Sequence, residues 1–139
     1  MRILGKSNKT FNFYLERLKD SVYQFVIVND HGELMGELTF RIKDSKAWLY
    51  SIAAMPECQH MGVGQTLIDL FECYCAKHCC DVVEGRYVPS NDYAYSFYQK
   101  NNYKVYKDGY EQYIYKKLNI KQILNSKCKF VIEDGLLEF

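Results

Sequence analysis

Residues 56–67 read "PECQHMGVGQTL". The stretch follows an apolar run, "AWLYSIAAM" (47–55), and precedes residues whose apolar positions recur at helical spacing. It therefore lies where a strand hands over to a helix. Its two glycines, Gly62 and Gly64, admit two readings: a turn of free backbone amides at a helix head, or an ordinary loop. A helix N-terminus offers unsatisfied N–H groups and the positive end of the helix dipole, which together bind an anion. Glycine lets that anion approach the backbone closely and supplies a positive φ where one is needed. Two glycines two apart do not choose between these readings, so the flanking segments must.

Upstream the pattern has a period of two. "FNFYLERL" (11–18) alternates, "VYQFVIV" (22–28) is β-branched and aromatic, and "NDHGE" (29–33) carries turn chemistry. "ELMGELTFRI" (33–42) alternates again, with Leu34, Leu38, Phe40 and Ile42 as the inward row alongside Gly36, and "KDSK" (43–46) is a second turn before "AWLYSIAAM". These segments predict four antiparallel strands in a meander. From Gly64 to about Lys77 the period becomes helical, through Leu67, Phe71, Tyr74 and Cys75, with Ile68 and Leu70 widening the stripe. "DVVEGRYV" (81–88) returns to strand, and Ser90 or Asn91 caps a second helix from Asp92 to about Lys100. Asn101 and Asn102 end that helix, because asparagine tolerates the left-handed conformation. "YKVY" (103–106) and "YEQYIYKKL" (110–118) close the pattern as a hairpin turning at Asp108-Gly109.

A strand–helix–strand unit crosses over right-handed to a parallel neighbour. The expected fold is thus α/β (α+β): a mixed, mostly antiparallel sheet with a parallel pair at the fourth and fifth strands, and helices on both faces. Residues 119–139 form an extension, with a short helix and the short strand "KFVIE" (129–133), beyond a domain of residues 1–118.

Composition narrows the function classes. With 139 residues, 48% of them hydrophobic and 16% aromatic, the chain buries a real core as one domain. Eighteen basic against seventeen acidic residues leave a net charge of +1 with no basic block, so no electrostatic footprint for nucleic acid exists. No apolar run approaches membrane-spanning length, and the first twenty residues lack an apolar signal core, so a cytoplasmic location is expected. The cysteines are Cys58, Cys73, Cys75, Cys79, Cys80 and Cys128, four of them within "CYCAKHCC" (73–80). There is no CxxC pair and no second cluster to complete a zinc site, although Cys75, Cys79 and His78 would lie near one another on a helix. The favoured reading is reduced thiols acting as small apolar residues, with no metal.

"PECQHMGVG", followed some thirty residues later by "NDYAYSFYQKNNY" (91–103), resembles the GNAT superfamily of acyl-CoA N-acyltransferases. The loop matches the family pattern through Gln59, His60, Met61, Gly62, Val63 and Gly64, preceded by Pro56 after the small-apolar strand end "IAAM" (52–55). The later motif matches through Asn91, Ala94, Phe97, Tyr98 and Lys100, and the likeness covers roughly residues 10–118.

The resemblance implies a co-substrate, acetyl-CoA or another acyl-CoA, and no metal. It also implies a role for each matching residue. Backbone amides from Gln59 through His60, Met61, Gly62, Val63 and Gly64, with Gln65 beside them, bind the coenzyme's pyrophosphate. The end of the fourth strand, Ile52, Ala53 and Ala54, pairs with the pantetheine arm in a splayed gap beside the fifth strand. The Ile52 N–H lies near the thioester oxygen, where charge develops during attack. Asn91 hydrogen-bonds the pantetheine, Ala94 lies beside it, and Tyr98 protonates the departing thiolate.

The chain departs from the family in three places. His60 and Met61 stand where basic residues or glycine are common. Trp48 stands where many relatives carry a glutamate base, leaving Glu84, Glu37 and Glu111 as candidates by charge alone. Only "KDSV" (19–22) separates the first strand from the second, where relatives have two helices walling the acceptor pocket. The acceptor side is therefore expected to be open, suited to a macromolecular amine or to a partner wall supplied by the extension, in cis or across a homodimer. The leading expectation is direct acetyl transfer from coenzyme A to an amine. The alternatives are a non-catalytic acyl-CoA-binding module and a carrier-protein acyltransferase, which "VVEGRYVPSNDYAYSFYQKNNY" (82–103) also resembles.

Overall fold

The computed structural model describes residues 2–6, 11–87, 92–128 and 130–132. Five strands open the chain: β1 (Arg2–Lys6), β2 (Asn12–Lys19), β3 (Val22–Val28), β4 (Leu34–Lys43) and β5 (Lys46–Ala54). A single 3-10 turn (Pro56–Cys58) leads to α1 (Val63–Lys77), then β6 (Val82–Tyr87), α2 (Asp92–Lys100), β7 (Lys104–Asp108) and β8 (Glu111–Lys117). The extension adds α3 (Ile120–Ser126) and β9 (Val131–Ile132). The described strands form one sheet in the order β7-β8-β6-β5-β4-β3-β2-β1-β9.

β2 to β5 are the expected meander, and β5 and β6, the expected fourth and fifth strands, run parallel. The short β1 was not expected. It pairs antiparallel with β2, and its other edge receives β9. The tight β4–β5 hairpin needs left-handed backbone at both turn residues, Asp44 (φ 54°) and Ser45 (φ 63°), short polar residues that tolerate it. Asn102 ends α2 in the left-handed conformation (φ 66°), as its type suggests.

Alternation along β3 and β4 sends Phe25, Leu38 and Phe40 to one face, where α1 packs. The Phe40 ring meets Phe71 edge-on at 5.0 Å and Tyr74 at 5.3 Å, while Phe25 stacks on Phe40 at 5.7 Å. Gly36 makes the close approach of α1 possible. A Cβ there would lie 2.6 Å from Val63 Cγ1 and 2.8 Å from the Ala53 carbonyl oxygen.

α3 packs against α1, and α2 is tied to it through a Gln65–Asn101 hydrogen bond (2.9 Å). The fold class is as expected, but all three described helices gather on one face rather than on two. One short connection and the handedness of two crossovers explain this. Asp20-Ser21 leaves no length for a helix between β2 and β3, and both crossovers from β5 and β6 turn in the same right-handed sense.

The extension is fastened to α1. Lys127 pairs with the fully buried Glu72 at 2.8 Å, and Cys128 is disulfide-bonded to Cys73. The reading of all the thiols as reduced is therefore corrected for this pair, which are 55 residues apart in sequence and brought together by α3 lying along α1. Cys58, Cys75 and Cys80 are free and buried as expected, and Cys79 is free and exposed. Phe130 then meets Phe13 at 5.8 Å. The described part of the extension thus runs along the helical face and does not wall the opposite one.

Candidate active site

The ladder between β5 and β6 runs from Lys46–Val82 to Leu49–Gly85 and stops there. Gly85 permits the last contact, since a Cβ would stand 2.6 Å from the Leu49 carbonyl oxygen. At the same level the β4–β5 register slips between Thr39 and Phe40, so Tyr50 is the extra residue of a bulge. Beyond it β5 stays paired to β4, with Leu38 opposite Ile52 and Gly36 opposite Ala54. Towards β6, residues 50–54 have no strand partner among the described residues. A wedge between two parallel strands at their carboxyl ends is where open α/β sheets bind ligands.

Next to the wedge stands the head of α1. The helix begins at Val63, one residue before the expected Gly64, and Gly62 caps it in the left-handed conformation (φ 83°) with no side-chain cap. The positive φ belongs to Gly62 alone. Gly64 is helical and contributes space, since a Cβ there would just touch the Phe97 ring at 3.4 Å. Local turns use part of the loop's donor set: the Met61 amide donates to the Cys58 carbonyl (3.1 Å) and the Gln59 amide points at Pro56 O (3.5 Å). The amides of His60, Gly62, Val63, Gly64 and Gln65 have no acceptor among the described residues. They are a set of donors with the chemistry of an anion cradle.

Wedge and helix head open into one cavity of about 340 Å³. Of the expected site residues, Ile52, Ala53, Ala54, Gln59, Gly64, Ala94 and Tyr98 line it. His60 and Met61 are exposed outside it, and the Val63 side chain is buried in the core. The Gln65 amide group is held by Asp69 (3.0 Å) and Asn101 (2.9 Å), so only its backbone faces the helix head. Asn91 lies outside the described residues. The sequence reading missed Tyr50, Ser51, Arg86 and Tyr87 as lining residues. The available signal was topological, because Arg86 and Tyr87 end β6 at the carboxyl end of the parallel pair.

Tyr98 is 4% exposed, its ring packed 6.1 Å from Tyr87, 5.9 Å from Phe97 and 5.7 Å from Tyr103. Burial pushes its phenol up to about 12, so it is a neutral donor at physiological pH. Its hydroxyl has no hydrogen-bond partner among the described residues.

The cavity reaches both faces of the sheet: Tyr98 and Phe97 on the helical side, Ser51 and Arg86 on the other. Trp48 and Glu84 line a different depression, with Arg41, Lys43, Asp44, Lys46 and Ala47, so neither faces the wedge. No described group of three or more His, Cys, Asp or Glu side chains is arranged to hold a metal ion, and no described helix is long and apolar enough to cross a membrane.

Residues 5–103 match a family described as the acetyltransferase (GNAT) family. No curated protein matches the chain. Among solved structures, the chain is similar to the PaiA N-acetyltransferase of Thermoplasma acidophilum in complex with coenzyme A, at 27% identity and a TM-score of 0.66. That match covers 70% of this chain and 62% of the Thermoplasma protein's length. The ribosomal-protein-S18-alanine N-acetyltransferase of Escherichia coli shares the fold at 18% identity and a TM-score of 0.61, over 70% of this chain and 68% of that one. Ard1 of Thermoplasma volcanium shares it at 21% identity and a TM-score of 0.59, over 70% of each chain.

Proposed function

The chain belongs to the GNAT acetyltransferase family, and on that premise we propose that it transfers an acyl group, acetyl first among them, from coenzyme A directly to an amine. One observation carries the reading. The unpartnered stretch of β5, the uncapped head of α1 and the buried phenol of Tyr98 all face a single cavity. An acyl-CoA needs these three things: an extended edge for its amide-bearing arm, an anion cradle for its pyrophosphate, and a donor near sulfur. The coenzyme A seen with the Thermoplasma acidophilum relative supports the same ligand class.

Each residue has a defined task. The free amides of His60, Gly62, Val63, Gly64 and Gln65 hold the pyrophosphate, and the absence of a Cβ at Gly64 lets it sit against the helix. Backbone groups of Ile52, Ala53 and Ala54 pair with the pantetheine arm, and Asn91 adds a side-chain hydrogen bond. The Ile52 N–H faces the thioester oxygen, where negative charge grows as the amine attacks.

Tyr98 donates to the departing sulfur. A thiol ionises near 8.5, some three units below this phenol, so complete proton transfer to the thiolate is uphill. Tyr98 thus acts chiefly as a hydrogen-bond donor, with the final proton supplied by solvent. The transferase unit is residues 1–118, and the described part of the extension, 119–128 and 130–132, packs on it.

Isothermal calorimetry with acetyl-CoA, and release of free coenzyme A thiol in the presence of amines, test the proposal. A useful panel holds free amino acids, a peptide with an open N-terminus, a lysine-bearing peptide, an aminoglycoside and a diamine. Binding followed by amine-dependent thiol release is expected. Tight binding with no release would favour the non-catalytic acyl-CoA-binding module, and no binding would end both readings.

A further inference from the structure

The cavity walls carry one formal charge. Among the described lining residues Arg86 is the only Arg, Lys, His, Asp or Glu. It is the first residue of β6 beyond the last pair with β5, Leu49–Gly85, so it stands at the root of the wedge. Val83 and Gly85 are buried under the helices, and alternation sends Arg86 to the opposite face, where Ser51 also lines the cavity. An acceptor reaches the wedge from that face, because α1, α2 and Tyr98 fill the helical side. The amides at the head of α1 form one anion site on the helical side. Arg86 is a cation across the sheet from it, placed for a second anion that the coenzyme does not supply.

The neighbours of Arg86 leave it free to bind. Its Nη1 pairs with Glu111 Oε1, which uses one of five N–H donors. Glu111 is engaged on both oxygens, since Oε2 accepts from the Tyr113 hydroxyl (2.6 Å). The pair thus has donors to spare on the arginine and no unused oxygen on the glutamate. The other carboxylates nearby turn elsewhere. Glu84 pairs with Lys46 at 3.6 Å in the depression with Trp48, and Gln24 of β3 holds Glu37 at 3.3 Å. Arg41, 6.0 Å above the Tyr50 ring, adds positive charge beside a lining residue. A diamine meets no counter-charge on these walls. A carboxylate meets a planar fork of donors that matches its geometry.

Building on the transferase reading, we propose that the acceptor is a free amino acid, whose carboxylate Arg86 receives while its amine attacks the thioester at Ile52. The register sets Arg86 level with Tyr50, and Ile52 lies two residues further along β5, roughly 7 Å in a strand. An extended arginine side chain and a compact acceptor bridge that interval. A peptide holds the first residue's α-carboxyl in an amide bond, so beside its attacking amine Arg86 would find no anion. Arg86 is a specificity-determining residue that binds the acceptor and moves no proton.

The test uses acetyl-CoA and pairs of amines that differ only by a carboxylate: L-phenylalanine against phenethylamine, and L-lysine against cadaverine. In the wild-type chain kcat/KM is expected to favour the carboxylate-bearing member of a pair by about 10–100-fold, the value of hydrogen bonds to a charged group. Arg86→Gln should bring that ratio close to one, and Arg86→Lys should keep part of it, having the charge without the fork. Glu111→Gln should preserve or raise the ratio, since the guanidinium loses a competing carboxylate. Acetyl-CoA affinity by calorimetry should be the same in all three variants. A wild-type chain without the preference, or one whose preference survives Arg86→Gln, would overturn the proposal. So would weaker acetyl-CoA binding in Arg86→Gln, which would assign the guanidinium to the coenzyme, or faster acylation of a peptide beginning with aspartate than of any free amino acid. Each of these outcomes leaves the transferase reading standing. A wild-type chain that binds acetyl-CoA yet acylates no amine removes both.

Discussion

Cys73, two-thirds of the way along α1, is joined to Cys128, just past the end of α3, while their neighbours Glu72 and Lys127 form an ion pair at 2.8 Å. Two consecutive residues of the helix thus hold two consecutive residues of the extension, one pair covalently and one by charge. A crosslink between residues 55 apart restricts the unfolded chain by about 4 kcal/mol in the chain-entropy account, and native disulfides typically stabilise by about 2–4 kcal/mol. Adding reductant, or changing Cys128→Ser, should lower stability by that amount in denaturant melts monitored by circular dichroism. Cys79→Ser, at an exposed free thiol, should not. Indistinguishable midpoints with and without reductant would show that the bridge contributes nothing.

Glu72 has no exposed surface, yet it is fully satisfied. Lys116 reaches both its oxygens at 3.0 Å, Lys127 reaches Oε1 and the Tyr103 hydroxyl reaches Oε2 at 2.8 Å. Removing the charge strands two partly buried ammonium groups at once, a loss of roughly 3–5 kcal/mol when a buried pair is broken from one side. Glu72→Gln should therefore cost more stability than Tyr103→Phe, which removes one hydrogen bond to a charged group, worth about 1.5–3 kcal/mol. Equal urea midpoints for the two variants would contradict this ordering.

What was legible in the sequence was local. The meander, the amphipathic stripe of α1 and the loop "PECQHMGVG" are patterns of neighbouring residues, and they appear in the structure where the periodicities put them. The parallel pair followed from handedness alone. What escaped was set by distant partners. β1 is a strand because β2 and β9 flank it, and nothing within Arg2–Lys6 demands that. Cys73 and Cys128 meet because α3 lies on α1. Glu72 sits on the helix like any surface glutamate until β8 and the extension close over it. At the site, the donors and the strand end were readable. That the Met61 amide is already used, and that Gln65 turns to Asn101, depended on turn geometry that residue types do not encode.

Gly36 and Gly64 both serve the head of α1, with different tolerances. Alanine at position 36 puts its Cβ 2.6 Å from Val63 Cγ1 and 2.8 Å from backbone oxygen, and the oxygen cannot rotate away. Overpacking of this kind costs about 1–3 kcal/mol and would push α1 off β4. Alanine at position 64 meets only the Phe97 ring, at 3.4 Å. Gly64→Ala should thus melt within about 0.5 kcal/mol of the parent, the range of ordinary tolerated substitutions, while binding acetyl-CoA several-fold more weakly. A Gly36→Ala protein as stable as wild type would refute the close-packing account.

Three buried phenols, with the buried thiols of Cys75 and Cys80, set the alkaline limit. Burial raises Tyr98 to about 12, raises Tyr74, and raises Tyr103 further with the Glu72 charge beside it. In the unfolded chain each phenol ionises near 10. Above that pH the unfolded state binds fewer protons than the folded one, so stability falls as pH rises. The contribution of Tyr98 is complete below pH 10 and is lost between about 10 and 12, at roughly 1.4 kcal/mol per pH unit, while those of Tyr74 and Tyr103 go on falling at higher pH. Denaturant midpoints should begin to fall above about pH 8.5, where the thiols of Cys75 and Cys80, raised by burial, ionise only in the unfolded chain. They should drop more steeply beyond about 10, with tyrosinate absorbance from the three phenols appearing only as the fold is lost. Full tyrosinate absorbance in a protein that stays folded would contradict the assignment of these phenols to the core.

Tyr98→Phe separates the chemistry from the packing. The ring is enclosed by Tyr87, Phe97 and Tyr103, and phenylalanine fills the same space. The hydroxyl has no described partner to lose, so folding stability should change by less than about 1 kcal/mol. Acetyl-CoA binding should change little, because the pyrophosphate and the arm are held by backbone groups elsewhere. The rate should fall by about 10–100-fold, since the departing sulfur loses a donor that acts chiefly in the transition state. The loss should shrink for thioesters with a more acidic thiol, whose leaving group needs less help. Such a gradient is what a donor at sulfur produces, and a purely structural tyrosine would give an equal loss with every thioester.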